Sequence, residues 1–136
     1  MILDTSAILS ILKDEPVGPE IAERIERSAQ LFISAGTLLE LFVVADQNND
    51  STLSYRVDDF LSLIQPIIEP VTEDQVRIAR LAYRRYGKGR GHPARLNFGD
   101  CFAYALALAL ARDRNEPLLF VGNDFIHTDI RSALAG

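Results

Sequence analysis

The sequence predicts an α/β fold, a three-layer sandwich with a mostly parallel central sheet and helices on both faces. Short apolar runs alternate with longer stretches of helical periodicity along the chain. Neighbouring parallel strands need a crossover connection, and helices that cover both faces of a sheet leave its strands apolar. With 136 residues, 48% of them hydrophobic, the chain has the size and core of one domain, which we expect to span residues 1–136.

Four short apolar runs are typical of strands buried on both faces. The third run is bounded by Pro66 and Pro70, and the last one ends at the Gly122-Asn123 turn signal. The predicted strands are residues 1–3, 31–33, 66–70 and 118–121.

The longer stretches predict helices, because apolar residues recur in them at helical spacing. Thr37 and Thr72 are capping residues at two of the predicted starts. The first predicted helix begins directly after Asp4. The others cover residues 17–30, 37–47, 52–64, 72–87 and 98–114. Three of these helices carry a clear apolar stripe: Ile21 and Ile25 in 17–30; Leu38, Leu39, Phe42 and Val43 in 37–47; and Val76, Ala79 and Tyr83 in 72–87.

Residues 101–111 are ambiguous by periodicity, because large apolar residues alternate there with smaller ones as in a strand. The run contains no β-branched residue, however, and it is long for a strand. We therefore predict that the helix over 98–114 is buried nearly all round.

Several classes of protein are excluded by composition. One cysteine cannot form an internal disulfide, and no Cys/His cluster is available for a zinc site. The longest apolar run, 101–111, has 11 residues, fewer than the roughly 20 that span a bilayer. Asp4 interrupts the N-terminus before a signal peptide develops. We expect a reduced, soluble, cytoplasmic protein that does not enter a membrane.

The net charge of −5 counts against a general nucleic-acid binder, but the cations are segregated. Residues 84–95, which we call the basic segment, hold five cations and His92 without an acid, while the remaining nine cations face 19 acids. Such a segment is either a solvated loop or a surface that contacts phosphates. Its cations are Arg84, Arg85, Lys88, Arg90 and Arg95.

Four acidic residues follow strand ends or begin helices. Asp4 follows the first strand, and Asp124 comes two residues after Gly122, just past the last strand. Glu40 and Asp100 lie in the first turns of their predicted helices. Because the carboxyl ends of parallel strands meet at one edge of a sheet, we expect the four acids to converge there.

Each acid also has a structural interpretation. Glu40 would complete a capping box at its helix start, and Asp100 would form a cap with Asn97. Asp124 fits turn chemistry, and Asp4 fits a helix cap. These interpretations remain open for each residue taken alone.

A set of neighbouring carboxylates favours a metal site, because the charges repel one another and raise each pKa. A hard divalent cation relieves that repulsion, and Mg²⁺ or Mn²⁺ prefers carboxylate and water oxygens. An acidic metal site beside a basic segment indicates a phosphodiester hydrolase.

The sequence resembles PIN-domain toxins of the VapC type in the order and spacing of its motifs over essentially the whole chain. The opening Asp-Thr-Ser motif alone is weak evidence for this family, whereas the motifs Phe-Gly-Asp-Cys and Gly-Asn-Asp-Phe are more specific to it. The resemblance rests on Met1-Ile2-Leu3-Asp4-Thr5-Ser6, Glu40, Asn97-Phe98-Gly99-Asp100-Cys101, the segment 119–124 with Phe125, and Thr128-Asp129-Ile130. It implies a PIN-like sandwich and a small Mg²⁺-dependent ribonuclease, the toxic half of a type II toxin–antitoxin pair.

The resemblance also implies a role for each acid. Asp4 and Asp100 match metal-binding aspartates. Glu40 matches the acid that completes the pocket, as a metal ligand, through water or as an aid to the attacking water. Asp124 matches a fourth and more variable position, for which Asp129 is the alternative.

Further implications concern the chemistry and the partners. Thr5 or Ser6 would hold the pocket by hydrogen bonding, and in-line attack of activated water on RNA would leave a 5′-phosphate and a 3′-hydroxyl. The basic segment would contact RNA phosphates or an acidic tail of the antitoxin, with His92 stacked on a base. The resemblance implies a homodimer and a cognate VapB-type antitoxin.

An apolar stripe on the middle helices exceeds what a small sheet needs, and we expect part of it to bind an antitoxin helix. The stripe comprises Leu38, Leu41, Phe42, Val44, Leu53, Tyr55, Phe60 and Leu61.

Cys101 is typical of a packed residue rather than a nucleophile, and His127 is typical of a surface residue.

Two other functions are compatible with clustered acids. One is a catalytically silent PIN-fold module that acts through the antitoxin in transcriptional autoregulation. The other is a receiver-like signalling domain, but the sequence lacks paired acids after the first strand. It also lacks a lysine after a late strand, since its only lysines are Lys13 and Lys88.

Overall fold

A four-stranded sheet forms the centre of the computed structural model, which describes residues 1–47 and 51–134. Its strands are β1 (Ile2–Leu3), β2 (Phe32–Ser34), β3 (Ile67–Glu69) and β4 (Leu118–Leu119). The helices are α1 (Thr5–Leu12), α2 (Gly18–Arg27), α3 (Ala35–Asp46), α4 (Ser51–Ile64), α5 (Glu73–Tyr86) and α6 (Phe98–Arg114). The strands lie in the order β3-β2-β1-β4, and every neighbouring pair is parallel. The predicted α/β class is confirmed.

Successive strand residues point to opposite faces of the sheet and so divide the interior into two cores. One core packs against α5 and α6, and the other packs against α1 to α4. The strand side chains are Ile2, Phe32 and Leu118 in the first core and Leu3, Ile33 and Leu119 in the second. This alternation produces the predicted three layers.

Helix α6 has the predicted bounds, from Phe98 to Arg114. Asn97 caps its start, and Asn115 ends it in a left-handed conformation with φ of 53°. Most side chains from Gly99 to Ala107 are buried, but the last turn is exposed. The helix is therefore buried nearly all round only in its first part, which carries Asp100.

The predicted start of α3 is wrong. Ser34 caps this helix, and its Oγ accepts a hydrogen bond from the Gly36 amide at 3.2 Å. Thr37 is consequently buried inside the helix instead of capping it, and Glu40 lies in the second turn rather than the first.

Other boundaries differ by one to three residues. The helix predicted over 17–30 ends at Arg27, because Ser28 adopts an extended conformation. The strand predicted at 31–33 lies one residue later. The strand predicted at 118–121 ends at Leu119, because the amide of Val121 donates to a side chain, Ser6 Oγ, instead of a neighbouring strand.

The apolar stripe predicted for α5 is not the face that packs on the sheet. Gln75, Ala82 and Tyr86 are buried there, whereas Val76 is 55% exposed and Tyr83 is also exposed. The exposed stripe lines a cavity of about 690 Å³ between α5 and α6. Among the described helices, none is both long enough and apolar enough to cross a membrane.

Candidate active site

Asp4 lies directly after β1 and caps α1, so its carboxylate is held at the carboxyl edge of the sheet. The side chain is only 4% exposed. Its Oδ2 accepts hydrogen bonds from the Ser6 amide at 3.1 Å and from Ser6 Oγ at 2.6 Å. The other oxygen, Oδ1, is buried and has no hydrogen-bond partner among the described residues.

Burial raises the pKa of the Asp4 carboxyl to about 6. The two hydrogen bonds from Ser6 oppose this rise, and the charge of Glu40 adds to it. A buried carboxylate oxygen without a hydrogen-bond partner is energetically costly, so a cation or a hydrogen-bond donor placed beside it would be stabilising.

Thr5 and Ser6 connect Asp4 to the rest of the site. Thr5 Oγ1 donates to Oε1 of Glu40 at 2.8 Å, which joins α1 to α3. Ser6 Oγ donates to Asp4 and accepts from the amide of Val121 at 3.0 Å, which joins α1 to the segment after β4. The two hydroxyls therefore act on different acids.

Asp100 is placed by a capping box at the start of α6. The Asn97 side chain accepts from the Asp100 amide at 2.9 Å, and Asp100 Oδ2 accepts from the Asn97 amide at 3.0 Å. Asp100 is 6% exposed, and burial raises its pKa to about 7. The charges of Asp124, Asp4 and Glu40 raise the pKa further. All four predicted acids thus lie near enough to interact through their charges.

Gly99 belongs to the Phe-Gly-Asp-Cys motif, but the sequence analysis gave it no role in the site. A Cβ at this position would overlap the carboxylate of Glu40, so only glycine lets that side chain reach the start of α6. Glycine is a poor helix former, so a glycine in the first turn of α6, two residues after the capping Asn97, indicates a position where a side chain would not fit.

The segment after β4 places the two candidate fourth acids differently. Asp124 follows Gly122, which has φ of 100°, and its charge acts on Asp100. Asp129 instead accepts a hydrogen bond from the hydroxyl of Tyr104 at 2.6 Å. These contacts favour Asp124 as the fourth acid, because its charge acts on Asp100 whereas Asp129 is bonded to Tyr104.

The acids of the described residues do not form a complete set of metal ligands by themselves. No three His, Cys, Asp or Glu side chains in the described ranges stand close enough together to hold an ion by themselves. Mg²⁺ does not require such a set, because it is held through one or two carboxylates and keeps several waters. The unpaired Asp4 Oδ1 and the mutual repulsion of the acids fit a hard divalent cation.

The basic segment lies beside the start of α6. Lys88 lines the cavity between α5 and α6 together with Asn97 and Cys101, the neighbours of Asp100. Arg85 lies over the ring of Tyr86, 4.9 Å from its centroid. All five cations of the segment are exposed, and none pairs with an acid of the described residues: Arg84, Arg85, Lys88, Arg90 and Arg95.

His92 and Cys101 have packing roles. The His92 ring packs edge-on against Tyr86 at 4.9 Å, and its Nδ1 accepts from the Ala94 amide at 3.1 Å. The ring is therefore held by contacts within residues 84–95, and its stacking on a base stays a prediction. Burial raises the pKa of the Cys101 thiol to about 11, so it stays a protonated, packed side chain.

Comparison with known proteins identifies close relatives. Residues 1–130 match the family described as PIN domain. The chain is 46% identical over 134 residues to "Ribonuclease VapC28" of Mycobacterium tuberculosis, with 98% of each protein covered. It is 45% identical over 133 residues to "Ribonuclease VapC42" of the same organism, again with 98% of each covered. A third relative, "VapC ribonuclease Mb0640" of Mycobacterium bovis, is 39% identical over 130 residues, or 96% of this chain and 95% of that protein.

Gly99→Ala is expected to displace Glu40 while leaving the fold intact. The new methyl group occupies the space of a flexible carboxylate, and alanine is the better helix former. We expect Mn²⁺ affinity, measured by calorimetry, to fall about tenfold, as is usual when a supporting group is lost. Glu40→Gln should cause a comparable loss. An unchanged affinity in Gly99→Ala would show that Glu40 has no part in the site.

Asp100→Asn is expected to stabilise the metal-free protein at alkaline pH. Asp4 and Asp100 bind protons more tightly in the folded chain, because their pKa values rise from 3.8 to about 6 and about 7. The free energy of unfolding should therefore fall as the pH rises from 4 to 8. Asn keeps an oxygen for the capping box without the charge, so at pH 8 the variant should be more stable by about 1–3 kcal/mol.

Urea unfolding in EDTA at pH 5 and pH 8 measures this effect. Asp113→Asn is the matched control, since it makes the same change of charge at the exposed end of the same helix. A variant that is less stable than the parent at pH 8 would mean that the Asp100 charge stabilises the fold, which is the opposite of the expected effect.

Proposed function

The chain belongs to the PIN-domain family, among the VapC ribonucleases, and on that premise we propose that it is a metal-dependent endoribonuclease, the toxin of a type II toxin–antitoxin pair. The observation that carries the proposal is the pair of buried carboxylates, Asp4 and Asp100, on which the charges of neighbouring acids act. A segment of exposed, unpaired cations lies beside them. We take residues 1–136 as one PIN domain.

Asp4 and Asp100 are the residues that would hold a divalent cation, Mg²⁺ or Mn²⁺. The unpaired Oδ1 of Asp4 and the Asp100 carboxylate are the hard oxygen donors such an ion prefers. When bound, the ion would lower the pKa of a water and offset negative charge on the phosphate.

Glu40 and Asp124 would act around that pair. Thr5 holds Oε1 of Glu40, which leaves the other carboxylate oxygen toward the start of α6 to accept a proton from the attacking water. Asp124 adds negative charge beside Asp100. The water oxygen would form a bond to phosphorus as the bond to the 3′ oxygen breaks. Glu40 would take one proton from that water, and the leaving 3′ oxygen would take a proton from solvent, so the products carry a 5′-phosphate and a 3′-hydroxyl. No side chain forms a covalent bond to the RNA.

The basic segment would bind the RNA backbone. Its five arginine and lysine side chains are exposed and free of ion pairs with the described acids, so they are available to phosphate oxygens. Lys88 lines the same cavity as Asn97, the capping partner of Asp100.

The antitoxin-free protein is expected to cleave a structured RNA pool with Mg²⁺ or Mn²⁺ and not with EDTA. Asp100→Asn should lower the cleavage rate by about 10²-fold or more, because it removes one of two buried donors. Gel mapping of the cut ends measures both the rate and the 5′-phosphate.

The control is Asp113→Asn, which should cleave like the parent. Cleavage that survives Asp100→Asn or EDTA would contradict the proposal. Metal binding without any cleavage would instead favour the catalytically silent module that acts through its antitoxin.

Two separate apolar surfaces would bind the protein partners. The α5–α6 cavity, with Val76, Tyr83 and Phe98 exposed at it, would meet a second copy of the chain and form the homodimer. The surface of α3 and α4 would bind a helix of the VapB-type antitoxin. On that surface Leu41 belongs to the core and Phe42 is half-buried against it.

The remaining residues of the predicted antitoxin stripe differ in exposure. Tyr55 is 68% exposed, so it probes the α3–α4 surface better than the half-buried residues do. Those half-buried residues are Leu38, Val44, Leu53, Phe60 and Leu61.

Val76→Glu and Tyr55→Glu are expected to separate the two surfaces. A charge at Val76 should turn the dimer into a monomer and leave antitoxin binding unchanged, because a desolvated charge is costly at an apolar interface. A charge at Tyr55 should weaken antitoxin binding by about tenfold or more and leave the dimer intact. Sedimentation and calorimetry measure the two effects, and each variant is the control for the other. If Val76→Glu stays dimeric, the homodimer uses another face.

A further inference from the structure

A hydrogen bond links α6 to the segment that carries Asp124. The hydroxyl of Tyr104 donates to Oδ1 of Asp129 at 2.6 Å. Tyr104 lies one helical turn after Asp100, on the same side of α6, and is only 4% exposed. The helix that places Asp100 therefore also holds the segment in which Asp124 lies.

The Tyr104 side chain is fixed before it meets Asp129. Its ring packs against Tyr86 of α5, with centroids 5.9 Å apart, and it belongs to the core between the sheet and helices α5 and α6. Burial raises the pKa of the phenol, so the hydroxyl remains a donor at neutral pH. A rigid, protonated donor aimed at an exposed carboxylate is a stable attachment point for a loop.

The segment after β4 has few other attachments near Asp124. Val121 donates to Ser6 on one side, and the buried ring of Phe125 packs against Phe120 on the other. Between Phe125 and Arg131, the other hydrogen bonds of the described residues are local: the Thr128 amide and hydroxyl donate to the Phe125 carbonyl, and the Ile130 amide donates to Thr128 Oγ1. The Ile130 side chain also packs against the first core, before the chain rejoins β4 through Arg131. The Tyr104–Asp129 bond is the long-range side-chain link in that stretch.

We propose that Tyr104 is a positioning residue, which holds Asp124 beside Asp100 through its hydrogen bond to Asp129. Asp129 is then the acceptor of this link and not a member of the acidic site. This inference rests on the proposed function for its effect on the metal, but the link itself is measurable in metal-free protein.

The test compares Tyr104→Phe, Asp129→Ala and Asp129→Asn. The first removes only a hydroxyl, and the second removes both the acceptor and its negative charge. Asp129→Asn removes the charge but keeps a carbonyl oxygen that can accept from Tyr104. Hydrogen exchange in EDTA reports on the Thr128 and Ile130 amides, and calorimetry with Mn²⁺ reports on the site. The amides of α2, on the far side of the sheet, are the internal control.

Tyr104→Phe and Asp129→Ala are each expected to speed exchange at residues 128 and 130 by about tenfold. Each should also weaken Mn²⁺ binding several-fold, with α2 exchange unchanged. The double variant should be no worse than either single one, since both remove the same bond. Asp129→Asn should behave like the parent protein.

Two results would overturn the inference. Normal exchange and Mn²⁺ binding in Tyr104→Phe would show that the packing of Phe125 and Ile130 holds the segment without this hydrogen bond. Loss of Mn²⁺ binding in Asp129→Asn but not in Tyr104→Phe would make Asp129 itself a ligand. If Tyr104→Phe does not fold, Asp129→Ala and Asp129→Asn still decide the question, because Asp129 is exposed. A failure of RNA cleavage would contradict the proposed function without changing the exchange result.

Discussion

Two neighbouring carboxylates, Asp4 and Asp100, are buried at the starts of two helices. Each is almost removed from water, and the charge of Asp4 raises the pKa of Asp100. Such burial is costly unless each carboxylate accepts hydrogen bonds. The bonds come from the first turns of two helices, through Ser6 for Asp4 and Asn97 for Asp100. Helix capping and the acidic site are therefore one arrangement rather than competing explanations.

The very short strands keep this arrangement close to both cores. β1 has only two residues, and each enters a different core before the chain reaches Asp4. The acidic edge is thus held from both sides by packed side chains, and a small displacement of either layer would change the spacing of the carboxylates. Gly99 shows how little room remains, since the Glu40 carboxylate fills the space of its missing Cβ.

The face formed by α5 and α6 brings an apolar cavity and the basic segment together, although the composition of the chain does not relate them. Its apolar cavity is lined by residues such as Val76 and Phe98, and it is continuous with Lys88 of the basic segment and with Asn97 of the capping box. Tyr86 and Tyr104 lie beneath this face, packed against each other. The proposed dimer surface, the basic segment and the acidic site consequently meet at helix α6.

Local signals were sufficient for the fold class, the order of the elements and the ends of α6, because strand runs, helical periodicity and the Asn97 cap do not depend on distant residues. The sequence also predicted an acidic site of four residues, and in the structure the charges of Asp124, Asp4 and Glu40 raise the pKa of Asp100. Three outcomes required the tertiary structure: which face of α5 is buried, the capping of α3 by Ser34 instead of Thr37, and the contact of Tyr104 with Asp129. These outcomes depend on contacts between residues far apart in the chain, whose competition for hydrogen bonds and buried space a local pattern does not contain.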